Sequence, residues 1–486
     1  MGIVLKQSVQ NVVYTYIGFF IAAINTLFLY TKILPDAYYG LVTFILASGA
    51  ILMPLMAFGV HNTMVKFYSR CPEEEKDGFL TLMVLAPLFG VVPVALLILF
   101  GYNPLGDLIS KVNPIVKDYL WYIFLVGLSM AYFEVFNAWC RVHMKSVFGN
   151  FMKEVFIRVG VSILLALFYF EMISLDTFLK LLVALHLLRT VIIKIYAFTL
   201  RYPKLDFHFP KHTREILYYS LLIILGGSAA LILLEIDKVM LNQFVSIENV
   251  AYYSVAVYIA TVIIVPSRAM HQITYPLTAE LLNLGDMAGL KKLYQRSSLT
   301  LFIASGILFV LIILNLNDLY LLIPENYRSG FVIVFLIGLA KVLDSLLGNN
   351  NSILYNSHYY KTVLVFGVGL AILTIVLNYL LIPRMGLEGA ALASFVSIFI
   401  FNLVKLVFVQ MKFGILPFTQ GTFKVLAALM VLSVLFYFVQ FPFHPILNII
   451  LKSGLIVLMY AGILYRFNIS EDVSGLLSKW LKKNAP

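Results

Sequence analysis

Apolar runs of about twenty residues follow one another along nearly the whole chain, and few sequence features restrict a fold more tightly. They recur about fourteen times, near 10–31, 39–60, 79–101, 115–139, 151–170, 177–198, 216–244, 250–271, 297–316, 330–348, 361–382, 388–410, 418–440 and 444–466. A bilayer core about 30 Å thick takes about 20 residues of helix. Inside it every backbone N–H and C=O must be satisfied within the protein, which leaves helices or closed barrels. Barrel strands would show short alternating segments, whereas these runs are continuous. The expected fold class is therefore all-α, a polytopic membrane protein with about 14 transmembrane helices. Composition agrees: 12% of the 486 residues are charged and 61% hydrophobic, about half the charged share of a soluble domain.

The net charge of +11 could suit a nucleic-acid partner, but its distribution points to membrane topology. With loops assigned alternately from a cytoplasmic N-terminus, about 20 Lys and Arg fall inside and about 5 outside. The basic loops include "RVHMK" (141–145), "RYPKLDFHFPKHTR" (201–214) and "KKLYQR" (291–296). Both termini are therefore expected in the cytoplasm, with no nucleic acid bound. The opening "MGIVLKQSV" runs straight into a full-length span without a small-residue cleavage site, so no cleaved signal peptide is expected. The tail "EDVSGLLSKWLKKN" (471–484) reads as a short amphipathic helix on the inner leaflet, anchored by Trp480.

Chemistry on the substrate is not expected. The connections are short, so there is no soluble catalytic domain, and the chain has no G-x-x-x-x-G-K-[ST], H-E-x-x-H or G-x-S-x-G. Cys71 and Cys140 suggest neither a disulfide framework nor a metal site. The expectation is a transporter rather than an enzyme, with no cofactor.

An internal repeat organises the spans. An offset of about 214 residues lays Ala37-Tyr38-Tyr39 over Ala251-Tyr252-Tyr253, Asn137 over Asn351, His143 nearly over His358, and "MISLD" (172–176) near "MGLEG" (385–389). Six spans per repeat keep both copies in one orientation. The expected organisation is an N-lobe at 1–200, a basic cytoplasmic linker at 201–215, a C-lobe at 216–412, two further helices at 413–467 and the tail at 468–486.

Ionisable residues within the runs are the candidate functional residues. At a helix centre such a residue costs at least roughly 2.5–3.5 kcal/mol, so it should face protein or a water-filled cavity. Arg189 lies about 18 Å into the sixth run, with His186 on the same face, and Lys341 about 15 Å into the tenth, with Asp344 one turn on. Glu134 sits toward the cytoplasmic half of the fourth run. Arg158 follows Glu154 by four residues and can pair with it, and Arg268 shares a face with His271 near an inner end. In "LILLEIDKVMLNQF" (231–244), Glu235 and Lys238 lie about 60° apart on the helical wheel and can pair, whereas Asp237 lies about 160° from Glu235. Asp237 is about 32 Å along its helix from Ile216, which would place it at a charged outer mouth, unless Gly226-Gly227-Ser228 bend the helix and keep it in a cavity. With Arg158, Arg189, Arg268 and Lys341 set against Glu134 and Asp237, the inward-facing set is net cationic. Arginine's planar fork suits phosphate, and an anionic substrate follows.

The chain resembles the oligosaccharide/polysaccharide flippase family of the multidrug/oligosaccharidyl-lipid/polysaccharide exporter (MOP) superfamily. The likeness is carried by "ILPDAYYGLVTF" (33–44), "EIDKVMLNQF" with "ENVAYYSVA" around the seventh span, "YPLTAELLNLGDMAGLKKLYQRS" (275–297) and "NYLLIPRMGLEGAALASFVS" (378–397). It implies two six-helix lobes around a cavity, two C-terminal helices, and inner-to-outer-leaflet movement of a polyprenyl-pyrophosphate-linked oligosaccharide by alternating access. The family's acid-base pair falls on Asp237 and Lys238, and its N-lobe counterpart falls near the uncharged Asn25 and Thr26. Arg158, Arg189, Arg268, Lys341 and Lys238 are then expected to bind pyrophosphate or glycan, and Asp237 and Glu134 to couple a proton or sodium ion. A polysaccharide polymerase is a further expected partner. Three alternatives stay open: a cation-coupled drug exporter of the same architecture, a lipid II flippase, and, from a different class, a membrane-embedded glycan-modifying enzyme.

Overall fold

The computed structural model describes residues 3–470, with 3–6, 8, 9, 225–231 and 360 described by their backbone alone. The amphipathic helix expected around Trp480 lies outside the described residues. All regular structure among them is helical. The main helices are α1 (Ile3–Ile24), α2 (Asp36–Met56), α3 (Lys76–Leu85), α4 (Leu88–Ile109), α5 (Leu120–Val142), α6 (Ile157–Tyr169), α7 (Leu175–Leu200), α8 (Thr213–Phe244), α9 (Ile247–Thr261), α10 (Val265–Leu284), α11 (Met287–Leu321), α12 (Phe331–Leu346), α13 (Tyr360–Phe413), α14 (Gln420–Tyr437) and α15 (Pro445–Arg466).

Their ends follow from local chemistry. The helix that begins as α1 passes through a π turn at Asn25–Leu29 and stops at Ile33, because Leu34 precedes Pro35 and is held extended at φ −88°, ψ 144°. Ser174 caps α7, its hydroxyl accepting the Thr177 N–H. Gly285, at φ 68°, closes α10, and the Asp286 carboxylate caps α11 through the Gly289 N–H at 2.8 Å. Within α13, Gly386 takes φ 58°, ψ −130°, values reserved for a residue without Cβ. At 54 residues, α13 would span about 80 Å unbroken, far more than one bilayer. The break at Gly386 makes it two helices, as expected from the separate runs at 361–382 and 388–410.

Ten helices among the described residues are long and apolar enough to cross a membrane, or eleven if Phe331–Leu346 and Asn350–Asn356, bent by 57°, form one broken span. The all-α polytopic class stands, and the count of fourteen is not confirmed. One cause is that Lys361–Phe413 counts once in that total despite its break.

Two compact units account for the packing: Met1–Ser254 with Gly367–Ala390, and Val255–Phe366 with Ala391–Pro486. In the first, α5 packs against α2 and α7, and α8 packs on α2. Its core holds Trp139, Phe133, Phe79 and Met64, with the Phe198 ring 5.7 Å from those of Trp139 and Phe136. In the second, α11 is central and packs against α10, α12, α14 and α15 around Phe302, Val310, Leu432 and Ile456. These units divide the chain at Ser254 rather than at 201–215. The six-plus-six division is one of topology, and we retain it as a proposal. Large apolar side chains such as Phe20, Phe100 and Phe438 are exposed, as lipid-facing helices require.

Candidate functional site

Within the first unit, α8 carries the charged stretch of the seventh run. Lys238 Nζ donates to Glu235 Oε2 at 2.7 Å, the pair expected from i,i+3 spacing. Asp237 points elsewhere and is 6% exposed. Its Oδ2 accepts the Tyr253 hydroxyl at 2.6 Å and its Oδ1 accepts the Asn378 amide at 2.8 Å. Asp237 is therefore buried against protein rather than exposed to solvent. Burial comes from α9 and the first part of α13, while α8 runs as one helix through 213–244; the side chains of Gly226-Gly227-Ser228 lie outside the described set. Asn378 Oδ1 is itself buried without a hydrogen-bond partner. Tyr253 and Asn378 thus both donate to this carboxylate, and the Asn378 oxygen beside it takes no hydrogen bond among the described residues.

A parallel arrangement occurs elsewhere in the same unit. Tyr39, which the repeat lays over Tyr253, donates to Thr26 O at 3.4 Å on the preceding helix. Asn25 is buried, donates to Arg158 O at 2.8 Å and accepts the Ser162 hydroxyl at 2.6 Å. The first span thus meets the fifth through Asn25 as the seventh meets the eleventh through Asp237, but with an amide in place of the acid. Two π turns, Asn25–Leu29 and Met152–Phe156, flank this junction, and such turns cluster at functional positions. Arg158 itself is held by Glu154, whose Oε2 and main-chain oxygen both accept from Nη1 at 2.6 Å. Its charge is neutralised on its own helix.

Arg189 is 6% exposed on α7, and its guanidinium carbon stands 4.1 Å from the centre of the Phe133 ring. Its Nε is buried and makes no hydrogen bond among the described residues. His186, one turn earlier, is buried and tied through Nδ1 to Leu182 O at 2.9 Å. Glu134 lies next to Phe133 on α5, where Lys153 Nζ binds Oε1 at 2.6 Å and Asn137 approaches Oε2 at 3.5 Å. Arg189 lies within the field of Glu134 but is not bonded to it. The structure brings Glu134 and Arg189 into one neighbourhood, and Arg158 is not part of it.

In the second unit, Arg268 is exposed and Lys341 half-buried. Among the described residues its most buried cation is one not expected from the sequence. Lys405 is 1% exposed; its Nζ donates to Asn351 Oδ1 at 3.0 Å, lies 3.6 Å from Asp344 Oδ1, and sits 4.5 Å from the centre of the Phe401 ring. The signal was present, because Lys405 interrupts the run 388–410 as Arg189 interrupts the sixth. Asn351, which the repeat lays over Asn137, stands between acid and base here as Asn137 stands beside Glu134. Asn378 and Tyr253 carry no charge, and their role left no trace in hydropathy.

Residues 5–282 match the family described as "Polysaccharide biosynthesis protein". No curated protein matches at a significant level. Among solved structures, the chain is similar to "Lipid II flippase MurJ, inward closed conformation", with TM-score 0.72 and 15% identity over 95% of this chain and 100% of that one. It is also similar to an inward-facing multidrug resistance MATE family transporter of the MOP superfamily, with TM-score 0.65 and 14% identity over 84% of this chain and 98% of that one. A MOP superfamily transporter from Pyrococcus furiosus, described as having a binding pocket of reversed polarity, aligns at TM-score 0.58 and 14% identity over 85% of this chain and 97% of that one.

Proposed function

Because the chain belongs to the polysaccharide biosynthesis protein family and has the fold of MOP transporters, we propose that it flips a polyprenyl-pyrophosphate-linked oligosaccharide from the inner to the outer leaflet. The movement is by alternating access in the bacterial inner membrane, with both termini cytoplasmic, and it feeds cell-surface polysaccharide assembly by a polymerase. No covalent step is proposed.

The observation that carries this reading is the buried guanidinium of Arg189 with its unfilled Nε. A buried N–H without an acceptor is costly, and the Phe133 face offsets part of that cost by cation–π attraction. A phosphate oxygen would satisfy it fully, in the bidentate geometry for which arginine is suited. Lys238 and Arg158 are tied to Glu235 and Glu154, so phosphate must displace a carboxylate to reach them. They act after Arg189 rather than in place of it. Arg268 and Lys341 are retained as candidates in the second unit.

Asp237 is the coupling group, with Glu134 as a second candidate. Its carboxylate is buried and accepts from the Tyr253 hydroxyl and the Asn378 amide, a polar setting in which a proton or sodium ion would be taken up and released. The unused Asn378 oxygen adds the kind of ligand a hard cation takes. An inside-negative potential contributes about 2.3 kcal/mol per charge per 100 mV, and for an anionic pyrophosphate it favours export.

The test is leaflet accessibility of a labelled polyprenyl-pyrophosphate oligosaccharide in proteoliposomes. Arg189→Ala is expected to lower the rate about 10- to 100-fold, the worth of one charge-assisted hydrogen bond, with Arg189→Lys between it and the wild type. Wild-type transport by a normally inserted Arg189→Ala protein would remove Arg189 from the mechanism. The likeness to MurJ over 95% of the chain favours a second reading, a lipid II flippase. Competition between the two labelled lipids in one assay separates them.

A further inference from the structure

The basic connector after α7 lies against the start of α3. Arg201 donates through Nη1 to Glu73 at 2.7 Å and through Nη2 and Nε to Asp77 at 2.8 and 3.1 Å. These bonds, Glu73 first and Asp77 next, raise the Arg201 pKa above its ordinary value. Thr81 then bridges the connector main chain, donating to Lys204 O at 3.2 Å and accepting the Asp206 N–H at 3.1 Å. Gly78 makes the approach possible, since a Cβ there would sit 2.1 Å from His208 O.

Docked in this way, the connector walls a groove of about 510 Å³ between α3, α5 and α7, all within the first unit. Leu80, Val84, Leu128, Val191 and Leu205 line it, and Lys194 stands on it. The inner hydroxyls on its walls are engaged, Ser129 with His186 O and Thr190, Thr190 with Ser129 O, Thr81 with the connector and Tyr132 with Val84 O at 3.5 Å, and that of Tyr202 belongs to an exposed side chain at the connector. The interior therefore presents hydrocarbon. Lys194 is exposed, lies 5.6 Å from the centre of the Phe198 ring, and pairs with no carboxylate among the described residues. It is about 28 Å along α7 from Leu175, near the basic end of the span. Lys204, Lys211 and Arg214 are exposed on the connector, as are Tyr202, Leu205 and Phe207. Basic heads above apolar side chains are the pattern of a segment lying in the headgroup region of an anionic leaflet.

We propose that this groove binds one anionic phospholipid of the bilayer, with an acyl chain between α3, α5 and α7 and the phosphate on Lys194, and that the Arg201 clamp holds its connector wall in place. The occupant is fixed by the combination of an apolar body that is open at the protein surface and Lys194, the one charged side chain among the described residues that line it, while Glu73 and Asp77 are taken up by Arg201. It is a lipid site separate from Arg189 and Asp237, and it does not depend on what the protein transports.

The test uses the full-length protein in phosphatidylcholine nanodiscs with trace phosphatidylglycerol carrying a diazirine on its acyl chain, read by peptide mapping after photolysis. Label is expected on peptides covering 80–84, 128–136 and 187–205, and unlabelled phosphatidylglycerol should displace it about fivefold better than phosphatidylcholine. Val84→Trp, which fills the groove, should remove most of that label. Lys194→Gln, a change at an exposed position, should keep the label and lose the headgroup preference. Unsaturable label unaffected by Val84→Trp would overturn the site. A preference that survives Lys194→Gln would overturn the phosphate assignment, and displacement by undecaprenyl phosphate but not by phosphatidylglycerol would give the groove to the substrate instead.

Discussion

At the scale of single residues, charges in the spans differ in how fully their own helix neutralises them. Arg158 and Lys238 find carboxylates within one turn, and such pairs are legible in a sequence because i,i+3 and i,i+4 spacing fixes them. Asp237 finds its donors at Tyr253 and Asn378, 16 and 141 residues away, where no local rule reaches. Hydrogen bonds between membrane helices average about 0.6 kcal/mol and reach about 1.7. Asp237→Asn, which keeps the shape of the side chain, should therefore stay folded and lose no more than about that much stability. Its transport should become insensitive to an imposed proton or sodium gradient. A mutant whose rate still rises with the gradient as in the wild type would remove Asp237 from coupling. Lys405 shows the opposite kind of miss, a charge visible in its apolar run whose depth of burial only packing reveals.

Among the elements, turn chemistry was readable wherever it is local. Pro35 stops the first span, and Ser174 and Asp286 begin two others. The π turns at Asn25–Leu29 and Met152–Phe156 were not readable, since each depends on a neighbouring helix as much as on its own residues. Gly386 joins both kinds of information: "MGLEG" marks a break, and the left-handed φ shows why glycine stands there. Gly386→Ala should cost about 1–3 kcal/mol through a strained backbone. This would appear as a lower melting temperature in detergent and earlier proteolysis near residue 386. An unchanged melting temperature would mean that the kink relaxes into a straight helix.

For the whole molecule, charge placement makes a prediction that does not depend on the site. Single cysteines introduced at Lys211 and at Lys292 should react with an impermeant maleimide only after the membrane is opened, whereas one at Asn249 should react in intact cells. Label at Lys211 in intact cells would invert the topology and, with it, the proposed direction of transport. Signals local to the chain sufficed to show an all-helical, multi-pass membrane protein and which charges could pair on their own helices. Apolar run length, turn residues and i,i+4 spacing are properties of neighbours in the chain, and a bilayer enforces them by leaving no backbone group unsatisfied. Helix packing set the rest: Asp237 is buried against Tyr253 and Asn378, Arg189 rests on Phe133 with an N–H unfilled among the described residues, and Lys405 is the most buried cation described in its unit. Those facts depend on which helices meet, and contacts whose partners lie from 16 to 141 residues apart in the chain arise from packing that no local pattern encodes.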